Sequence, residues 1–280
     1  MKNALKRFPG VLTFVFTFVL LSACSMRGVL FNFAETLAVV RLDQMFDLTS
    51  EQKNQASLKI EEFFRWFKGE KRNELVRILT GLKSDWADGL SQDEYSRFRA
   101  SLRAILLDAG MKLGNLFTPM AGSLSEKQLD HFAEFLEESN EDRQKLVDSK
   151  DYSTNRREEL KENSERWYGE ITDAQLDEIA NFSRGKEGLM RYLEQRRASQ
   201  KYVVDYMRAH RSDPSKMNEL LRLLFEDPGR LRPSSMREEY EKMRSEWSMV
   251  WVKTDALMTS DQRLRALSYL DSWIEDFKEF

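Results

Sequence analysis

Five times the chain repeats one short pattern: an apolar residue, a Ser or Thr, two variable positions, then Gln or Glu. The copies are Leu48-Thr49-Ser50-Glu51-Gln52, Leu90-Ser91-Gln92-Asp93-Glu94, Leu124-Ser125-Glu126-Lys127-Gln128, Ile171-Thr172-Asp173-Ala174-Gln175 and Met258-Thr259-Ser260-Asp261-Gln262. Each is a capping box. The hydroxyl accepts from an unpaired amide of the first helical turn, and the Gln or Glu reaches back to the cap amide. Tyr95, Leu129 and Leu176, one position further on, suit a hydrophobic staple against the preceding apolar residue. Every copy therefore starts a helix, and the copies are spaced too unevenly for a solenoid of fixed period.

The stretches between these starts carry helical seams. Ala56, Ile60, Phe63 and Phe67 step by four, three and four, and Tyr95, Phe98, Leu102, Ile105 and Ala109 alternate threes and fours. The same spacing makes Phe63-Phe64-Arg65-Trp66-Phe67-Lys68 a core stripe and not an aromatic, basic platform for nucleic acid. Asn32 with Glu35 has capping-box spacing and opens a first helix through about Phe46. Gly69 is expected to break or kink the chain before a helix from about Glu70 to Trp86. Gly114 to Ser123, with Pro119, reads as a loop and the place for a subdomain boundary. Further on, Gly185 and Gly188 mark a break, Asp213-Pro214 starts a helix with Asp as cap, and Asp227-Pro228-Gly229 ends it. Arg230 and Arg232 sit in the junction that follows, and Ser235 with Glu238 reads as the next cap. Leu267, Leu270, Ile274 and Phe277, with Trp273 beside them, form a last seam. From Glu137 to Glu165 charges of both signs interleave, which reads as a solvated face ahead of a protruding arm for a partner.

The first residues follow another logic. Lys2, Lys6 and Arg7 precede the apolar run Val11 to Leu21, which ends in Leu21-Ser22-Ala23-Cys24. That is the layout of an export signal, too short for a membrane span. The last four residues resemble the bacterial lipobox, Leu-(Ser/Ala)-(Ala/Gly)-Cys. The resemblance implies a diacylglycerol on the Cys24 sulfur, cleavage before Cys24, and acylation of the new amine. Three acyl chains hold a protein where one holds it only marginally. The sequence has one cysteine, so a disulfide partner within the chain does not exist. Ser25 follows where an Asp resembles the inner-membrane retention signal, which favours the periplasmic face of the outer membrane over that of the inner one.

Removing Lys2, Lys6 and Arg7 with residues 1–23 moves the formal charge from −3 to −6. An acidic body argues against nucleic acid, whose binding rests on Lys and Arg neutralising phosphate. With 32% charged and 41% hydrophobic residues the composition suits amphipathic helices. The expected protein is thus all-α, an elongated multi-helix bundle of antiparallel hairpins: residues 1–23 as signal peptide, 24–31 as lipidated tether, and 32–280 as the helical domain.

Chemistry beyond attachment finds little support. The two histidines, His131 and His210, stand far apart without neighbouring ligands, so neither a metal nor a cofactor is expected. No Gly-x-Gly-x-x-Gly, Walker loop, nucleophile elbow or His-Glu-x-x-His occurs, and no catalytic residue is assigned. Cys24 is the one site residue, an anchor and not a nucleophile.

Several of these features together resemble a known family. They are the lipobox, Leu48-Thr49-Ser50-Glu51-Gln52 with Trp66, the Asp213-Pro214 and Asp227-Pro228 junctions, and the ending with Gln262, Leu264, Leu270, Trp273, Asp276 and Phe277. They look like an uncharacterised family of Gram-negative lipoproteins, domain of unknown function, family 6279, and no activity comes with that likeness. The Leu-Thr-x-x-Gln pattern is also similar to the motif of small helical periplasmic proteins typified by Spy and CpxP. The first copy fits it fully, the Leu124, Ile171 and Met258 copies are variants, and the Leu90 copy carries Glu for Gln. The likeness implies protein binding or chaperoning in the envelope, with the membrane met through the anchor and a protein partner or client. The alternative is an envelope enzyme with an acidic cleft between helices. Replacing the acylated sulfur, Cys24→Ser, is expected to release the protein from the membrane fraction on cell fractionation; unchanged retention contradicts lipidation.

Overall fold

A computed structural model describes residues 33–183 and 185–280; Cys24, the tether and the expected cap Asn32 lie outside them. Every regular element among the described residues is helical: α1 (Ala34–Phe46), α2 (Ser50–Trp66), a π-helical turn (Phe67–Lys71), α3 (Arg72–Asp85), α4 (Gln92–Ala121), α5 (Glu126–Asp148), α6 (Tyr152–Tyr168), α7 (Asp173–Phe182), α8 (Lys186–His210), α9 (Pro214–Phe225), a 3-10 turn (Pro228–Leu231), α10 (Ser234–Ala256) and α11 (Ser260–Glu279). The protein is an all-α multi-helix bundle. Sequence neighbours pair as α1 with α2, α3 with α4, α6 with α7 and α8 with α9, and remote pairs close the bundle: α5 with α8, α4 with α9, and α3 with α11.

All five capping boxes form, at the starts of α2, α4, α5, α7 and α11. Their preceding apolar residues, Leu48, Leu90, Leu124, Ile171 and Met258, are all buried. The helical seams also point inward. Ala56, Ile60, Phe63 and Phe67 are buried, as are Ile105, Ala109, Leu270, Ile274 and Phe277. One apolar cluster gathers Trp86, Ile105, Tyr168, Leu176, Leu270 and Trp273, and a second gathers Leu48, Leu124, Leu129, Phe132, Met207 and Leu220. Between them Ile60, Phe63, Phe64 and Leu116 form a third. Each such side chain contributes about 1.5–3 kcal/mol on burial.

Three local expectations are corrected. Gly69 does not break the chain. The backbone widens by one residue into the π turn, with Arg72 N–H bonded to Phe67 O, and α2 runs on into α3. The extra residue shifts the phase of α3 by one position, and Leu75, Leu79 and Leu82 join Phe67 in one buried cluster. Ser235 does not cap α10, whose first helical residue is Ser234, behind Pro233 and with no side-chain cap.

The third correction is the largest. The segment 114–123, expected as a loop, is helix as far as Ala121, with Pro119 inside the last turn of α4. Its Gly114 serves packing and not chain reversal. A methyl group at Gly114 would lie 2.4 Å from Leu221 Cδ1, and one at Gly110, a turn earlier, 2.6 Å from the Phe225 ring. The two glycines form a slot on α4 that admits α9, and Thr118, a turn further on, continues it through a 3.2 Å bond to Asn218. Residues 114–121 are therefore part of one continuous helix, and the turn to α5 follows them.

Helical glycine ordinarily costs up to about 1 kcal/mol relative to alanine. Gly81, in α3 with open space around its Cα, should follow that rule, and Gly81→Ala should raise the melting temperature. Gly110→Ala should reverse the sign and cost about 1–3 kcal/mol by overpacking against Phe225. Thermal and urea unfolding of the two variants checks the contrast.

Candidate functional site

Four of the five repeated motifs meet in two pairs. At the heads of α2 and α5, Gln52 Nε2 donates to Gln128 Oε1 at 3.4 Å and Gln128 Nε2 donates to Gln52 Oε1 at 2.7 Å. Each amide also donates to the carbonyl two residues before its partner's cap: Gln52 to Ser123 O and Gln128 to Asp47 O, both at 3.2 Å. Each oxygen meanwhile accepts its own cap amide, from Thr49 and from Ser125, at 3.0 Å. Asp47 is the one described non-glycine residue with positive φ, 47°. Aspartate tolerates that conformation better than most side chains.

The heads of α7 and α11 repeat the arrangement. Gln175 Nε2 donates to Gln262 Oε1 at 2.8 Å and Gln262 Nε2 to Gln175 Oε1 at 3.1 Å. Their second donations go to Leu257 O at 2.9 Å and to Glu170 O at 2.8 Å. A glutamine is needed because the cap uses only the amide oxygen, and the clasp uses the nitrogen. Glutamate has no donor when ionised.

The odd copy conforms to that rule. Glu94 accepts from the Ser91 amide at 2.9 Å, which with the Ser91 hydroxyl holds its carboxyl below the usual range, and it meets no partner motif. Its neighbourhood is tied by Asp255 instead, only 1% exposed at the end of α10. Asp255 accepts from the Trp86 indole at 2.7 Å, from the Leu90 amide at 3.0 Å and from Arg263 Nε at 3.3 Å. Burial first, then the Asp255 charge, pushes the Tyr168 hydroxyl far above its ordinary range. The acid is thus held by three donors as a structural tie. Nothing in the sequence pattern singles out Asp255 from the other acids.

The other residues of interest are scattered. His131 Nε2 lies 3.1 Å from Gln44 O, joining α5 to α1, while His210 packs on the Tyr206 ring at 4.7 Å. Among the described residues no group of three or more His, Cys, Asp or Glu could hold a metal ion, and no helix is long and apolar enough to cross a membrane. The charged segment 137–165 covers the second half of α5, a turn and most of α6. Its inner side is engaged: Asn140, 1% exposed, bonds Gln200 at 2.7 Å, and Glu137 pairs with Arg197 at 3.0 Å.

Two surface grooves are open. One, of about 430 Å³, is lined by Glu141, Gln144, Lys145, Asp148, Ser149 and Arg197. Its groups largely answer one another, through Lys145 with Glu141 at 3.9 Å, Gln144 with Asp148 at 3.1 Å and Arg197 with Gln144 at 3.3 Å. The other, of about 440 Å³, lies between α8, α9 and the first turn of α10, and is lined by Tyr202, Glu219, Leu223, Glu226, Asp227 and three arginines, Arg222, Arg230 and Arg237. Among the described residues none of these three arginines has a carboxylate within ion-pair distance; Arg237 reaches only the Arg232 carbonyl, at 3.4 Å. Arg230 and Arg232, neighbours in the sequence, part company here. Arg232 lies over the Tyr240 ring at 3.7 Å and donates to Pro228 O at 2.6 Å, and burial lowers its pKa. Arg222 and Arg237 escaped the sequence reading; the signal was their position on the helices either side of the Asp-Pro-Gly junction.

The fold and its clasps define a helical bundle protein with capping motifs turned into tertiary ties. The chain belongs to a family of unknown function, DUF6279, whose model matches residues 44–241. No curated protein and no solved structure matches it.

Replacing either half of the buried clasp with the acid tests the donor requirement. Gln52→Glu and Gln128→Glu should each cost about 1–3 kcal/mol, the range for a buried polar group left without its bond. A carboxyl facing carbonyl oxygens is favoured in its protonated form, so its folded pKa is raised. The deficit should therefore shrink as pH falls into the carboxylic range in urea titrations, while Glu94→Gln changes stability far less.

Proposed function

We propose that this protein is lipid-anchored at Cys24 on the periplasmic face of the outer membrane, and that its helical body binds protein in envelope maintenance or chaperoning. The observation that carries the reading is the groove between α8, α9 and α10. Among the described residues its arginines have no carboxylate partner, whereas the glutamines, Asp255 and the second groove are satisfied within the chain. Ionic groups unmatched in the free molecule suit a partner that supplies the matching charges. The lipobox likeness and the acidic body agree with an envelope protein that does not bind nucleic acid.

The test is crosslinking in cells. A photoreactive benzoylphenylalanine at position 202, in place of Tyr202, should yield adducts with one or a few proteins identified by mass spectrometry. The same group at position 145, in place of Lys145 in the self-paired groove, should give several-fold less. Equal yields at the two positions, or none at either, would falsify the assignment of binding to this groove.

A further inference from the structure

We propose that the groove between α8, α9 and α10 takes an extended acidic peptide segment of the partner, with an apolar side chain between its acids; this rests on the protein-binding reading above. Two lining residues are apolar in character. Leu223 is half-buried, and Tyr202 is 37% exposed, with its ring stacked on Tyr206 at 5.8 Å. With them stand Arg222 on α9, Arg230 in the 3-10 turn and Arg237 on α10, all exposed.

The opposing acids are fewer than the lining suggests. Glu219 is already neutralised, by Lys216 at 2.9 Å and the Tyr206 hydroxyl at 3.0 Å, and both hold its pKa down. That leaves Glu226 and Asp227 against three guanidinium groups, a net positive patch on an acidic protein. The last carbonyl of the α9 end, at Glu226, is occupied by Arg103 Nη2 at 2.6 Å, which offsets the negative helix terminus there. Planar guanidinium forks match carboxylates in two parallel bonds.

Glu226 and Asp227 select between anionic partners. They repel a phosphate-dense surface such as anionic lipid, but they accept main-chain amides of a peptide laid between the arginines. The volume, about 440 Å³, lies in the range of sites that hold a few residues or a small molecule.

The experiment uses the full chain in detergent and a fluorescein-labelled peptide of alternating glutamate and leucine, read by anisotropy. A lysine and leucine peptide and phosphatidylglycerol vesicles are the comparison probes. The acidic peptide should bind saturably, at least about tenfold tighter than the lysine peptide, and weaken with salt. Arg230→Glu should weaken it at least about tenfold, Arg222→Ala and Arg237→Ala less, and Arg230→Lys should retain part of the affinity. The side chains are exposed, and unchanged circular dichroism confirms that each variant is folded. Equal binding of the lysine peptide, indifference to Arg230→Glu, or arginine-dependent binding of the vesicles alone overturns the proposal. Crosslinks at position 202 together with no preference for the acidic peptide would leave protein binding standing and remove the acidic class.

Discussion

A primary amide accepts through its oxygen and donates through its nitrogen at the same time, and four glutamines use both ends here. The oxygen of Gln52, Gln128, Gln175 or Gln262 closes its own helix start, and the nitrogen crosses to a second helix start. Local capping and tertiary pairing are thereby carried by one side chain. The α2 and α5 heads are held together over the cluster containing Leu48 and Leu124, and the α7 and α11 heads over the cluster containing Ile171 and Met258. A buried amide with both ends satisfied costs little, whereas one with an end unmet costs about 1–3 kcal/mol. That asymmetry makes the clasps selective for partner as well as stabilising.

Helix α4 reaches all three apolar clusters, through Ile105, Ala109, Leu116 and Ala121. Its crossing with α9 is made close by Gly110 and Gly114, which leave room for Phe225 and Leu221. At its other end Asp255, in the last turn of α10, ties the turn before α4 to the first turn of α11, through the Leu90 amide and Arg263. A lone buried carboxylate is costly, and the indole, amide and guanidinium donors around it are what make the position tenable.

Beside these interior ties, the surface also carries charges that its described neighbours leave unanswered. The contrast between the two grooves is electrostatic and not one of size. Arg197, Lys145 and Gln144 find partners within their own groove, and among the described residues Arg222 and Arg230 do not. The proline and glycine at the α9 end contribute by turning the chain so that arginines from two helices and the turn face one space.

What the sequence determined by itself is what is decided within a few residues: five helix starts, the buried seams, and the α8/α9 and α9/α10 breaks. Capping bonds and helical periodicity are local, so their residue types show them. The loop expected at 114–123 failed because a glycine needed for close packing and a glycine needed for a turn look alike without the neighbouring helix. Only the tertiary structure decided which motif meets which, because the partners lie 76 and 87 residues apart and each copy caps its helix in the same way. It also decided the groove: Arg222, Arg230 and Arg237 share it through the packing of α8, α9 and α10, while Arg232 is drawn aside by the Tyr240 ring. Charge type is written in the chain, but whether a charge is answered depends on which neighbours folding brings to it.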